Sequence, residues 1–95
     1  MTHFVYILTN QRRTVLYTGR TNDLDRRMIE HKLKLFPKSF SARYNCDRLA
    51  YYEEFESAEE AANREYQIKA GSRAHKLSLI QQTNPDWKDL SPGER

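Results

Sequence analysis

Two short runs rich in β-branched and aromatic residues, His3–Thr9 (HFVYILT) and Thr14–Thr18 (TVLYT), flank the polar stretch Asn10-Gln11-Arg12-Arg13, and Gly19 follows at once. Two such runs joined by so short a polar loop predict a β-hairpin, with Gly19 ending the second strand. Thr21-Asn22-Asp23 then offers N-cap candidates, and Leu24, Met28, His31 and Leu35 recur at spacings of four, three and four. That periodicity predicts a helix from Asp23 to Leu35. Phe36-Pro37 breaks it, and the segment to Asn45 (LFPKSFSARYN) lacks a clear period and reads as an exposed loop.

Arg48–Phe55 (RLAYYEEF) predicts a third strand. Ser57-Ala58-Glu59-Glu60 carries the capping-box pattern, with Glu60 reaching back to the Ser57 backbone, so a second helix starts there and runs to about Ala70, before Gly71. Ser72 caps a third helix, Arg73 to Gln82, with Leu77, Leu79 and Ile80 as its apolar contacts and Asn84-Pro85 as its end. Trp87 can pack one ring before the chain frays over Ser91–Arg95. The order is β-β-α-β-α-α, which predicts an α+β fold: a small three-stranded antiparallel sheet flanked by helices.

At 95 residues the chain supports one hydrophobic core, so one domain is expected over residues 1–90 with 91–95 as a flexible tail. A lone cysteine, Cys46, excludes an intramolecular disulfide framework and a zinc site built on several thiolates. No apolar run approaches the roughly 20 residues that a membrane span needs. The start MTHFVYILTN has neither the basic region nor the cleavage site of a signal peptide, so a soluble, cytoplasmic protein is expected.

The net charge of +3 says little, but its distribution says more. From Arg26 to Tyr44 there are six basic residues against the single acid Glu30, and from Glu53 to Glu65 six acids against Arg64. Such polarity fits a phosphate-facing side beside a solvated or metal-binding side, and it equally fits two solvated helix faces.

Tyr6 on the first strand and Tyr17 on the second lie on the predicted hairpin, with Gly19, Arg20 and Arg27 just beyond. Arg27 stands three residues after Leu24 and four before His31, so a helix sets Arg27 and His31 close together on one side. The arrangement resembles the GIY-YIG nuclease family. Phe4-Val5-Tyr6 stands in place of Gly-Ile-Tyr, Tyr17-Thr18-Gly19 in place of Tyr-Ile-Gly, and Arg27 is the arginine of the next helix. The likeness continues through Asn22-Asp23-Leu24, His31, Glu65 and Asn84-Pro85, and so covers nearly the whole chain. Within the family the chain is similar to small stand-alone members related to the catalytic module of the bacterial excision-repair nuclease.

The resemblance implies a metal-dependent endonuclease acting on DNA phosphodiesters, at branched or damaged structures in DNA repair, with RNA as a further substrate class. Hydrolysis needs an activated water, a cation for the charge that develops at phosphorus, and help for the leaving oxygen. The resemblance gives the base role to Tyr17 or Tyr6, with Tyr17 preferred, and the phosphate to Arg27, whose guanidinium can grip it bidentately. His31 would assist proton transfer or hydrogen-bond the phosphate. Glu65 would be the single protein ligand of Mg²⁺ or Mn²⁺, an arrangement that suits a cation keeping most of its waters. Gly19, Arg20 and Asn84 would support the site, Asn84 by orienting part of it or by capping the turn before Pro85.

Arg20 departs from the lysine that many members carry there; it keeps the charge but cannot shuttle a proton. Lys32, Lys34, Lys38 and Arg43, interleaved with hydroxyl and aromatic residues, are the candidate phosphate-contacting set. With no separate DNA-binding region, targeting would fall to a protein partner. Two other classes fit the residues: a catalytically weak nucleic-acid-binding module on the same scaffold, and a protein-interaction domain using Tyr51, Tyr52 and the acidic strand as an edge surface. Cys46, His3 and His75 form no metal or nucleophile set and read as structural.

Overall fold

The structure, a computed structural model, describes residues 1–91. Its elements are β1 (His3–Thr9), β2 (Leu16–Thr21), α1 (Leu24–Lys32), α2 (Phe40–Arg43), β3 (Arg48–Phe55), α3 (Ala58–Ala70) and α4 (Arg73–Thr83). The three strands form one antiparallel sheet in the order β2-β1-β3, so the α+β layout is as expected, with one added helical turn, α2.

β1 is the central strand, and its side chains alternate between two cores. Val5 and Ile7 meet Ala61 and Ile68 of α3 and Ile80 of α4 on one face. Tyr6 and Leu8 meet Leu24 and Met28 of α1, with Cys46 and Leu49, on the other. Burial on both faces explains why β1 reads as an almost unbroken apolar run. Each fully buried Ile or Leu there contributes about 1.5–3 kcal/mol.

Three expected boundaries shift, each for a local reason. β2 begins two residues later than expected and runs on through Gly19 to Thr21, which pairs with Phe4. Asn10 draws Thr14 and Val15 into the loop, its Oδ1 accepting from the Thr14 N–H at 2.8 Å and the Val15 N–H at 3.1 Å. Gly19 therefore lies inside the strand, opposite Tyr6, and does not end it.

α1 stops at Lys32 rather than Leu35, because Lys34 adopts a left-handed φ of 53° and the Leu35 N–H turns back to the Glu30 carbonyl at 3.1 Å. This is a Schellman closure built on a lysine where glycine is usual. In the segment expected to be a bare loop, the Ser39 side chain accepts from the Ala42 N–H at 3.3 Å and starts α2. α3 and α4 fall where expected, with Ser57 and Ser72 as N-caps, although the Ser57 hydroxyl donates to the Glu60 carboxylate itself.

After α4 the chain is tied down rather than frayed as far as Ser91. The Asp89 carboxylate accepts from the Lys32 ammonium at 2.8 Å, the Leu49 N–H at 3.1 Å and the Ser91 N–H at 3.0 Å, and Ser91 is buried. The remainder of the expected tail, 92–95, lies outside the described residues. No helix among the described residues is long and apolar enough to cross a membrane.

Candidate active site

Tyr6 sits at the middle of the central strand and is fully buried, yet its hydroxyl reaches the edge of the sheet. It can do so because Gly19 is its partner across the ladder and has no side chain: a Cβ at Gly19 would lie 2.5 Å from the Tyr6 hydroxyl. There the hydroxyl meets His31 Nε2 at 3.2 Å, and His31 Nδ1 meets the Ser41 hydroxyl at 2.8 Å. α1 thus carries a histidine that links the strand phenol to the turn α2.

Burial, with the Tyr17 phenol adding to it, pushes Tyr6 up to about 12, and Arg27 offsets this only in part. A phenol that keeps its proton donates it to Nε2, which leaves the His31 proton on Nδ1, donated to Ser41. Burial, and then the neighbouring Arg27 charge, holds His31 below the ordinary histidine range, so the neutral ring this chain of bonds needs is the favoured form.

Arg27 stands one turn before His31. Burial works against its charge, but the Tyr6 oxygen and the Glu30 carboxylate, 3.0 Å from Nε, outweigh that and hold it cationic. Tyr17, half-buried, sets its ring edge-on to His31 with centroids 5.9 Å apart. These side chains border an open cavity of about 470 Å³ whose wall includes Tyr17, Arg26, Arg27, His31 and Ser41. Positive charge, a half-buried phenol and a neutral imidazole therefore converge on one concave surface.

Glu65 approaches from α3. Its carboxylate lies 3.6 Å from Arg20 Nε and 3.1 Å from Lys69 Nζ, is 19% exposed, and its charge is felt at the Tyr6 phenol. Arg20 also donates to the Ala58 carbonyl at 3.4 Å, joining β2 to the start of α3. Among the described residues no group of three or more His, Cys, Asp or Glu could hold a metal ion. A lone, half-buried carboxylate fits a hard divalent cation that fills its other positions with water and phosphate oxygen. The Lys69 contact is an (i, i+4) pair whose lysine is exposed, so such a cation displaces it at little cost.

Tyr6, Tyr17, Gly19, Arg27 and His31 are thus brought together, with Glu65 and Arg20 at the same sheet edge. The other candidates are placed differently. Asn84 is buried and donates to the Ala50 and Lys88 carbonyls at 3.1 and 2.9 Å, and none of its hydrogen bonds goes to the Tyr6 group. Lys32 reaches Asp89 and the Asp47 carbonyl. Lys34 donates to Asn45, Lys38 is exposed, and Arg43 lies over the Tyr44 ring at 6.0 Å.

By sequence Ser41 counts only among the hydroxyl residues of the phosphate-contacting loop and Glu30 only as the single acid of the basic stretch; their contacts with His31 and Arg27 are not expected from it. The (i, i+4) and (i, i+3) spacings from Arg26 and Arg27 to Glu30 were the available signal for the second. Tyr51, offered as an edge residue, is 6% exposed and hydrogen-bonded to Glu53, whereas Tyr52 is 42% exposed. Cys46 is buried, and burial lifts its thiol to about 11, which leaves it inert.

The GIY-YIG catalytic domain model matches residues 2–78 of the chain. A UPF0213 protein of Staphylococcus saprophyticus is 38% identical over 82 residues, covering 82% of this chain and 93% of that protein. One of Clostridium perfringens is 40% identical over 82 residues, covering 82% of each. The solution NMR structure of the UPF0213 protein BH0048 from Bacillus halodurans matches with a TM-score of 0.59 and 35% identity, covering 94% of this chain and 93% of that one.

Proposed function

The chain belongs to the GIY-YIG family, and on that premise we propose that it is a metal-dependent endonuclease hydrolysing DNA phosphodiester bonds. The observation that supports this best is the Tyr6–His31–Ser41 chain of hydrogen bonds, with Arg27 and Tyr17 beside it on one cavity.

Arg27 is the group to hold the scissile phosphate, since its charge is permanent and its neighbours fix its direction. Tyr17 would take a proton from the attacking water, since it lines the cavity, while Tyr6 is buried and keeps its own proton. Tyr6 and His31 position one another, and His31 can pass a proton on through Ser41. Glu65 would hold Mg²⁺ or Mn²⁺, which when bound supplies positive charge against the developing oxyanion and acidifies water. The substrate in this reading is DNA, with RNA as the alternative, at branched or damaged structures in cytoplasmic repair, with targeting left to a protein partner.

The test is cleavage of duplex, single-stranded and branched DNA with Mg²⁺ or Mn²⁺, comparing the unaltered chain with Arg27→Ala and Glu65→Ala. Cleavage abolished by both substitutions supports the reading. Cleavage that survives both, or is absent on every substrate, overturns it.

The Arg20–Glu65 pair favours a second reading, a nucleic-acid-binding module with weak catalysis. An arginine stays charged and keeps hold of the carboxylate that the metal needs. Binding without cleavage, with cleavage gained in Arg20→Lys, would select it.

A further inference from the structure

Three rings leave the active site in a row. Tyr17 stacks on Phe40 with centroids 5.9 Å apart and 22° between planes, Phe40 lies 4.6 Å from Tyr44, and the Arg43 guanidinium sits over Tyr44. Neither Phe40 nor Tyr44 belongs to a core: they are 47% and 46% exposed. Two neighbouring rings presented to water on one short turn form a contact surface for a planar apolar partner.

The surrounding charge decides which partner. From His31 to Cys46 the chain has four basic residues and no acid, and α2 carries no acid in its first turn. An apolar protein surface gains nothing from that excess, whereas a strand of nucleic acid meets the rings with its bases and the cations with its phosphates. A base inside a duplex is held in its own stack and cannot reach the exposed sides of these rings; an unpaired base can.

We infer that the Tyr17–Phe40–Tyr44 column is a stacking track for unpaired bases of the strand being cut, so that the substrate is single-stranded beside the scissile phosphate. The location of the cut rests on the nuclease reading; the binding preference stands apart from it. Because the column begins at Tyr17, a strand laid along it delivers its backbone to Arg27.

The experiment measures fluorescence anisotropy at low salt with EDTA, so that no cleavage occurs. The probes are a DNA strand of about twelve nucleotides, a length such grooves span, the same strand with abasic sugars throughout, and a blunt duplex of equal length. The unaltered chain should bind the base-bearing strand about tenfold or more tightly than either other probe. Tyr44→Ala should lose about tenfold on the base-bearing strand and nothing on the abasic one, and Tyr44→Trp should retain the affinity. Tyr44 is exposed, so these variants fold; thermal melting confirms it.

Equal affinity for base-bearing and abasic strands, equal affinity for duplex, or no binding at all would overturn the inference. So would sedimentation showing a dimer that Tyr44→Ala dissolves, which would make the column a contact between two copies. A chain that binds as expected but cuts nothing in Mg²⁺ would remove the nuclease reading alone; one that cuts without regard to bases would remove this inference alone.

Discussion

The Tyr6 ring lies over Gly19, so close that a methyl group there would stand 2.5 Å from both Cζ and the hydroxyl oxygen of the phenol. Tyr6 is fully enclosed and cannot swing clear. Gly19→Ala should therefore move the hydroxyl off His31, lowering the single-turnover cleavage rate by about 100-fold. It should also destabilise the fold by about 1–3 kcal/mol through overpacking. Rate and thermal melting measured together check both; a normal rate in a folded variant would show that the Tyr6–His31 contact is not needed.

Arg27 and the lysines beyond α1 should separate in function. Arg27→Ala should reduce the saturated single-turnover rate by about 100-fold or more with a modest change in affinity. Replacing Lys34 and Lys38 by Ala should weaken DNA binding and reduce its salt slope by about one unit for each phosphate no longer neutralised, leaving the saturated rate nearly unchanged. Salt titrations and single-turnover kinetics on the two variants decide it. Equal losses of binding and rate in both would mean that one undifferentiated basic surface is at work.

His31 titrates lower when folded than when free, so the folded chain binds fewer protons between the two values. Stability is full above the unfolded histidine value of about 6.5 and falls as pH drops through it. Cleavage should follow the same direction, because a doubly protonated ring cannot accept from Tyr6. NMR of the ring protons should give a midpoint below about 6.5. Removing the Arg27 charge in Arg27→Gln should raise that midpoint, and Glu30→Gln should lower it further.

Asp89 provides a separate acid-sensitive contact. Burial alone would raise its carboxyl, but Lys32, Ser91 and the Leu49 N–H hold it down at about 2. The stabilisation is present above the unfolded aspartate value of about 3.9 and is lost as pH falls through the folded value. Asp89→Asn should cost about 1–2 kcal/mol at neutral pH and flatten the stability profile between about pH 4 and 2. Denaturant unfolding across that range measures it; parallel profiles for the two chains would count against the assignment.

The residues that sequence brought to one place were those whose positions follow from local pattern. Tyr6 and Tyr17 alternate along a hairpin, and Arg27 and His31 are one helical turn apart. What stayed hidden depends on long-range closure. Ser41 reaches His31 only because a four-residue turn, too short for any periodicity, forms on the Ser39 cap. Lys32 looks like its basic neighbours until the chain returns 57 positions later with Asp89. Asn84 reads equally as a site residue or a cap from its place before Pro85, and only the fold shows its amide joining α4 to β3 and Lys88. Gly19 looked like a strand end because a glycine signals both a stop and a close approach, and what approaches it is a side chain from another strand.

The turn α2 meets His31 through Ser41 and Tyr17 through Phe40, while Phe36, Pro37 and Lys38 before it lie exposed. In evolutionary terms this is a division of labour. Tyr6 on β1 and Arg27 and His31 on α1 stand on elements that tolerate little change, since β1 is enclosed on both faces and α1 packs on it through Leu24 and Met28. The excursion from Leu33 to Lys38 can lengthen, shorten or exchange its one aromatic ring, Phe36, with little effect on either core. Descendants of such a chain could acquire new substrates by altering that excursion while the Tyr6, Arg27 and His31 arrangement passed to them intact.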